Sequence, residues 1–156
     1  MSTYKFSAQP VTILLVDDDE DCRQLIRDAI ESGKLDNPVY EVSSGEEALM
    51  FLRREGIYKD APRPGLVYLD IEMPGIGGQE TLKAIREDAR FSDVAVVMMT
   101  GVTDDDQKRL AMANGANSYT NKPTDAMTFM YTVVQSTNYW LRIHQFPKPE
   151  EGIQAA

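Results

Sequence analysis

Five short apolar stretches, Val11–Val16, Val39–Val42, Leu66–Leu69, Val94–Met99 and Ser118–Tyr119, recur along the chain, and most are rich in β-branched or aromatic residues. Runs of this length and make-up predict buried strands. Between them, apolar residues return every three or four positions instead. Cys22, Leu25, Ile26, Ala29 and Ile30 predict a first helix that opens at Asp19 or Glu20 and ends at Gly33. A second opens at Ser43 or Ser44, carries Ala48, Leu49 and Leu52, and stops before Gly56. A third covers about Gly78–Asp88, and a fourth about Asp104–Asn114 with aspartates at its positive end. The last runs from Asp125 to near Ile143. Gly56–Gly65 reads GIYKDAPRPG, too long and too proline-rich for a tight connection, and predicts a surface loop open to contacts.

Strict alternation of strand and helix implies right-handed crossovers and helices on both faces of a parallel sheet. At this length the compact solution is α/β, a flavodoxin-like (βα)5 doubly wound sheet of strand order 2-1-3-4-5. Strands 1 and 3 are then neighbours at the switch point, and Asp17, Asp18 and Asp70 emerge there together. The last helix carries two apolar stripes. Met127, Met130, Val134 and Leu141 form one, while Phe129, Val133, Trp140 and Ile143 form another, displaced by roughly 125° at about 100° per residue. One sheet face needs only the first stripe. The second is left as extra core under neighbouring loops, or as a homodimer or partner surface built with the Tyr119 strand edge.

The chain's 156 residues, 42% hydrophobic, supply one core and not two, which predicts a single domain over residues 11–143 with tails at 1–10 and 144–156. A net charge of −9 argues against nucleic-acid and membrane binding and in favour of protein and cation partners. No apolar run is long enough to cross a bilayer, and the first ten residues lack the core of a signal peptide. The expected location is cytoplasmic. The lone cysteine, Cys22, excludes an internal disulfide and falls where a small buried filler belongs.

Four polar clusters terminate strands: VDDD at Val16–Asp19, LDIEMPG at Leu69–Gly75, MMTG at Met98–Gly101 and NKP at Asn121–Pro123. Taken singly, each has a bland reading: the aspartates cap a helix, Asp70 caps a loop, Thr100 fills a strand and Lys122 is solvated. Taken together, they bring three carboxylates, a hydroxyl and an ammonium to one crevice. Clustered carboxylates call for a divalent cation, with Mg²⁺ expected because it joins carboxylates to phosphoryl oxygens and keeps several waters. Asp70, presented ahead of Met73-Pro74-Gly75, could attack phosphorus and form an acyl phosphate. Thr100 and Lys122 would supply donors to the new dianion. Pro123 fixes the backbone after Lys122, at the one bond type where a cis peptide is cheap.

This motif set resembles the receiver domain of two-component response regulators over nearly all of Val11–Leu141. The resemblance implies that Asp70 is the phospho-acceptor, that Asp18 and Asp70 bind Mg²⁺ directly, that Asp17 assists through water, and that the backbone carbonyl of Glu72 completes the protein ligands. Thr100 and Lys122 correspond to the phosphate-sensing hydroxyl and lysine, and Tyr119 to the switching aromatic. The Gly56–Gly65 loop and the ending Asn138-Tyr139-Trp140-Leu141 look most like small stand-alone regulators served by phytochrome-type sensor histidine kinases. Glu72 and Val102 occupy the two rim positions that affect how water reaches the phosphoryl group.

The only histidine is His144, beyond the last strand, so a Ser-His-Asp or Cys-His hydrolase is excluded. The phosphoryl donor is then expected on another protein, a sensor histidine kinase or a phosphotransfer protein. Output is then expected to pass through contacts with a downstream protein, because Phe146–Ala156 offers no DNA-binding element. The alternative is an aspartate-nucleophile phosphatase. Such hydrolases usually carry a second aspartate two residues after the nucleophile, where this chain has Glu72, and add a substrate cap. A docking module that never cycles phosphate would lack the acceptor, the metal site or the lysine, and none is lost here.

Overall fold

The computed structural model describes residues 11–33, 36–101 and 104–143. Strands β1 (Ile13–Val16), β2 (Val39–Val42), β3 (Leu66–Asp70), β4 (Ala95–Thr100) and β5 (Ser118–Asn121) form one parallel sheet in the order β2-β1-β3-β4-β5. Helices α1 (Glu20–Ser32), α2 (Gly45–Arg53), α3 (Gly77–Glu87), α4 (Asp105–Ala113) and α5 (Ala126–Asn138) alternate with them. Both the predicted architecture and the predicted strand order hold. Every residue of β1, β3 and β4 is buried, as expected for strands covered on both faces. The edge strands β2 and β5 are only partly covered.

Alternate side chains build two cores. Leu14, Val16, Val67, Leu69, Val96 and Met98 face α2, α3 and Ala111 of α4. Ile13, Leu15, Leu66, Tyr68, Val97 and Met99 face α1, α5 and Trp140. Four helices start on side-chain caps: Asp19 for α1, Ser44 for α2, Asp104 for α4 and Asp125 for α5 each accept a backbone N–H. In α3 the cap residue, Ile76, offers no such acceptor.

Several sequence expectations need correction. Strands β3, β4 and β5 run on through Asp70, Thr100 and Asn121, so the candidate residues belong to the sheet itself or follow it directly. The Gly56–Gly65 loop begins with a 3₁₀ turn over Gly56–Tyr58, stabilised by packing of Tyr58 on Phe51 at 5.4 Å between ring centroids. On α5 the stripes exchange roles. Phe129, Val133 and Trp140 are buried against the sheet, while Met127 is 74% exposed and Met130, Val134 and Leu141 are half-buried at its margin. Phe129 and Val133 lie one turn apart and Trp140 continues their line, and this line meets Leu66, Tyr68 and Met99. That stripe is therefore core and offers no partner surface. The helix widens into a π-type turn over Tyr139–Ile143, and the side chain of Ile143 lies outside the described residues. The expected tails at 1–10 and 144–156, with His144, also lie outside them.

Candidate metal centre

Asp17 and Asp18 follow β1 directly, and Asp70 closes β3, the strand beside it. One carboxylate oxygen from each of the three lies within 4.8 Å of the others. Asp17 and Asp70 are buried and Asp18 is exposed. An octahedral ion with oxygens at about 2.1 Å holds adjacent ligands about 3 Å apart and opposite ligands about 4.2 Å apart. The cluster thus fits a divalent cation after a small contraction, or with one carboxylate acting through water.

Lys122 is the counter-charge. Its backbone N–H donates to the Thr100 carbonyl at 2.7 Å, carrying the β4–β5 pairing one residue past the strand. From there its ammonium donates to Asp17 Oδ2 at 2.6 Å and lies 3.2 Å from Asp70 Oδ1. The sequence placed Lys122 beside Asp70, and the structure places it between Asp70 and Asp17, nearer Asp17. Burial pushes the Asp70 carboxyl up to about 6; the lysine opposes this, Asp17 reinforces it, and a hydrogen bond from the Glu72 backbone N–H opposes it. Burial alone would lower the Lys122 ammonium, but the hydrogen bond to Asp17 and the charges of Asp17 and Asp70 raise it above the ordinary lysine range. Pro123 follows without a cis bond, for no cis peptide occurs among the described residues.

Thr100 ends β4 with 2% exposure, one residue beyond the pairing of Asp70 with Met99. Tyr119 lies mid-strand on β5, half-buried against the α2–α3 side of the sheet, with the Lys108 ammonium 5.7 Å from its ring centroid. Its hydroxyl is buried with no hydrogen-bond partner among the described residues. Burial, then Asp104, Asp105 and Glu72, raise its pKa. The structure therefore gathers Asp17, Asp18, Asp70 and Lys122 at one point, with Glu72 and Thr100 at the same strand ends. Val102 lies outside the described residues.

Three supports were not read from the sequence. Arg23 donates to the backbone carbonyl of Asp17 at 2.6 Å and pairs with Glu41 at 3.0 Å, so α1 and β2 together brace the acidic turn. In the sequence Arg23 reads only as one more charge among Glu20, Asp21 and Arg27, so nothing there marks it. Asp17 Oδ1 also accepts the Asp19 N–H at 2.9 Å, which fixes the carboxylate's orientation. Gly78 permits the start of α3 to lie against β3: a Cβ there would be 2.2 Å from the Asp70 carbonyl oxygen and 2.6 Å from Ile71 Cα. The thiol of Cys22, buried as expected, is pushed up to about 12 by burial and then by its hydrogen bond to Asp17.

Residues 13–134 match the family described as the response regulator receiver domain. The chain belongs to this family. Among curated relatives, this receiver is 35% identical over 141 residues to the probable methanogenesis regulatory protein FilR2 of Methanothrix harundinacea, covering 90% of each chain. It is 26% identical to the response regulator Rcp1 of Synechocystis, covering 90% of this chain and 96% of that one. Its fold superposes on the phosphorylated cyanobacterial phytochrome response regulator RcpA with a TM-score of 0.85 at 28% identity, covering 89% of this receiver and 99% of RcpA. The Mn²⁺-bound form of Rcp1 gives 0.84 at 26% identity, over 89% and 100% of the two chains. Among the described residues, no helix is long and apolar enough to cross a membrane.

Proposed function

We propose that this receiver accepts a phosphoryl group on Asp70 from the phosphohistidine of a sensor histidine kinase or phosphotransfer protein, in the cytoplasm, and signals by altered protein contacts. The observation that carries the reading is the Lys122 ammonium spanning Asp17 and Asp70, at 2.6 and 3.2 Å, beside the three-carboxylate cluster. Asp18, Asp70 and the Glu72 carbonyl would hold Mg²⁺, with Asp17 acting through water. When bound, the ion supplies positive charge to the equatorial phosphoryl oxygens.

The remaining steps belong to the chain itself. An Asp70 carboxylate oxygen attacks phosphorus in line as the P–N bond to the donor imidazole breaks, and the imidazole keeps the electron pair. Lys122, held protonated by its two carboxylates, stabilises the charge on the transferred group. Thr100 is drawn toward the new dianion, and the vacated space lets Tyr119 repack beneath α4. Phytochrome response regulators among the solved neighbours support a phytochrome-type kinase as the donor. A homodimer through the β5 edge and the outer face of the last helix, where Met127 and Tyr131 are exposed, is one form of output, and ultracentrifugation with a phosphoryl mimic tests it: an unchanged monomer removes it.

The test of the whole reading is incubation with Mg²⁺ and acetyl phosphate followed by trapping of the acyl phosphate. Label is expected on the wild-type chain and absent from Asp70→Asn. Label that persists in the variant refutes the assignment, and multiple turnover on small phosphoesters would favour the phosphatase.

A further inference from the structure

The loop between β3 and α3, residues 71–76, carries Glu72, whose N–H bonds the Asp70 carboxylate. Its ends are pinned: the Ile71 N–H donates to Met99 O at 3.0 Å and the Gly78 N–H to Ile71 O at 3.0 Å. Between those pins the turn needs Gly75 at φ +83° and Gly77 at φ +73°, conformations with little intrinsic preference to hold them. The helix that follows has no side-chain cap of its own. The missing acceptor comes from a different helix. Glu46, in the first turn of α2, accepts the Ile76 N–H on Oε1 at 2.7 Å.

Glu46 reaches the loop because α2 and α3 touch at their first turns. A Cβ on Gly45 would lie 1.9 Å from Thr81 Oγ1, and that hydroxyl donates to the Gly77 carbonyl at 2.7 Å. On the loop side, a Cβ on Gly75 would lie 2.6 Å from Glu46 Oε1, so only glycine admits the carboxylate. Gly45, Glu46, Gly75 and Thr81 thus form one joint. A negative group at the amino end of α3 also opposes the helix's partial positive charge.

We infer that Glu46 is a positioning residue for the candidate metal centre, capping α3 from α2 and thereby fixing the loop that presents Glu72 beside Asp70. The inference rests on the function proposed above for that centre. Outer groups that orient ligands are worth about 10- to 100-fold in affinity when the ligand itself is hydrogen-bonded, and a joint two steps removed should be worth less, about 3- to 10-fold.

Mn²⁺ alone serves as the probe, titrated by electron paramagnetic resonance into wild type, Glu46→Ala and Glu46→Gln, with amide exchange followed in the metal-free proteins. Glutamine keeps the acceptor and loses the charge. Glu46→Ala should lose Ile76 protection and weaken Mn²⁺ by the amount above, and should slow labelling by acetyl phosphate by a similar factor. Glu46→Gln should restore all three to within about twofold of wild type. Equal Mn²⁺ affinity in all three proteins overturns the inference, and so does an equal loss in both variants, which would make charge the cause. If wild type takes neither Mn²⁺ nor phosphoryl, the proposed function fails and takes the inference with it. Intact Ile76 protection distinguishes that failure from a failed joint.

Discussion

The two helices that flank the carboxyl ends of β4 and β5 are anchored in opposite ways. On one side α5 buries Phe129, Val133 and Thr137, with Trp140 just beyond its end, and the Tyr68 hydroxyl of central β3 meets Thr137 Oγ1 at 2.7 Å and Ser136 Oγ at 3.2 Å. On the other side α4 buries only Ala111, turns Leu110 and Met112 outward, and opens with three exposed aspartates. Its side-chain tie to α3 is Gln79 Nε2, which donates to the Gln107 carbonyl at 2.9 Å and to its Oε1 at 3.2 Å. Elements held by few buried contacts open at lower free energy than elements held by many. Because Thr100 leads toward α4 and Lys122 toward α5, a new charge between them meets the least resistance on the α4 side. The acidic centre is held by the stiff frame, and the phosphoryl group proposed for Asp70 would act through the weak one.

The most severe way to break this contrast is to empty the α5 side. Phe129→Ala should lower the unfolding free energy by about 3–5 kcal/mol, whereas Leu110→Ala on α4 should change it by less than about 0.5 kcal/mol. Urea denaturation of the two variants checks both, and comparable losses would erase the distinction. Next in size is Gly78→Ala, where the added methyl meets backbone atoms of Asp70 and Ile71 that cannot rotate away. A cost of about 2–3 kcal/mol is expected, together with weakened Mn²⁺ binding, because relief requires moving the strand end that carries Asp70. A variant of wild-type stability would show that α3 can withdraw from β3 without penalty.

Much of this was legible in the sequence because the fold repeats one simple unit. Apolar runs at Val11–Val16, Leu66–Leu69 and Val94–Met99 can only be strands covered on both faces, and their polar ends then have one place to converge. The positions of Asp17, Asp18, Asp70 and Lys122 follow from that alternation. The sequence could not say which α5 stripe meets the sheet, since both have helical spacing and the choice depends on how the helix rolls over Tyr68 and Met99. Nor could it show Glu46 on Ile76 or Arg23 on Asp17, which join elements by side chains that read as solvated surface charges. The partner of Lys122 within the cluster was likewise a matter of a single rotamer.

The stiff side also imposes a cost on Asp70, which pH exposes. With its folded value raised to about 6 from an ordinary 3.8, Asp70 still holds its proton in the folded chain where the unfolded chain has lost it. Any stability tied to that proton is complete below about pH 4, declines as pH rises through 6, and stays lost above it. Asp70→Asn removes the ionisation, so in metal-free solution the variant should nearly match wild type at pH 4 and exceed it by about 2–3 kcal/mol at pH 7. Excess Mg²⁺ should reverse the order by stabilising the ionised wild type. A difference independent of pH in chelator would mean that burial does not disfavour the Asp70 carboxylate.

The finest probe of the contrast is one substitution made on each side, the loss of a tyrosine hydroxyl. Tyr68→Phe deletes a group bonded to Thr137 and Ser136 and leaves those hydroxyls without it, which should cost about 1–2 kcal/mol. Tyr119→Phe deletes a buried hydroxyl that has no hydrogen-bond partner among the described residues. Its removal should leave stability unchanged or raise it by up to about 0.5 kcal/mol, because no bond is lost and a desolvated polar group is relieved. Chemical denaturation of both variants in metal-free buffer reads the pair directly. A loss at Tyr119 equal to that at Tyr68 would mean that the β5 edge is as firmly tied as the α5 face, and the α4 side could no longer be the path of least resistance.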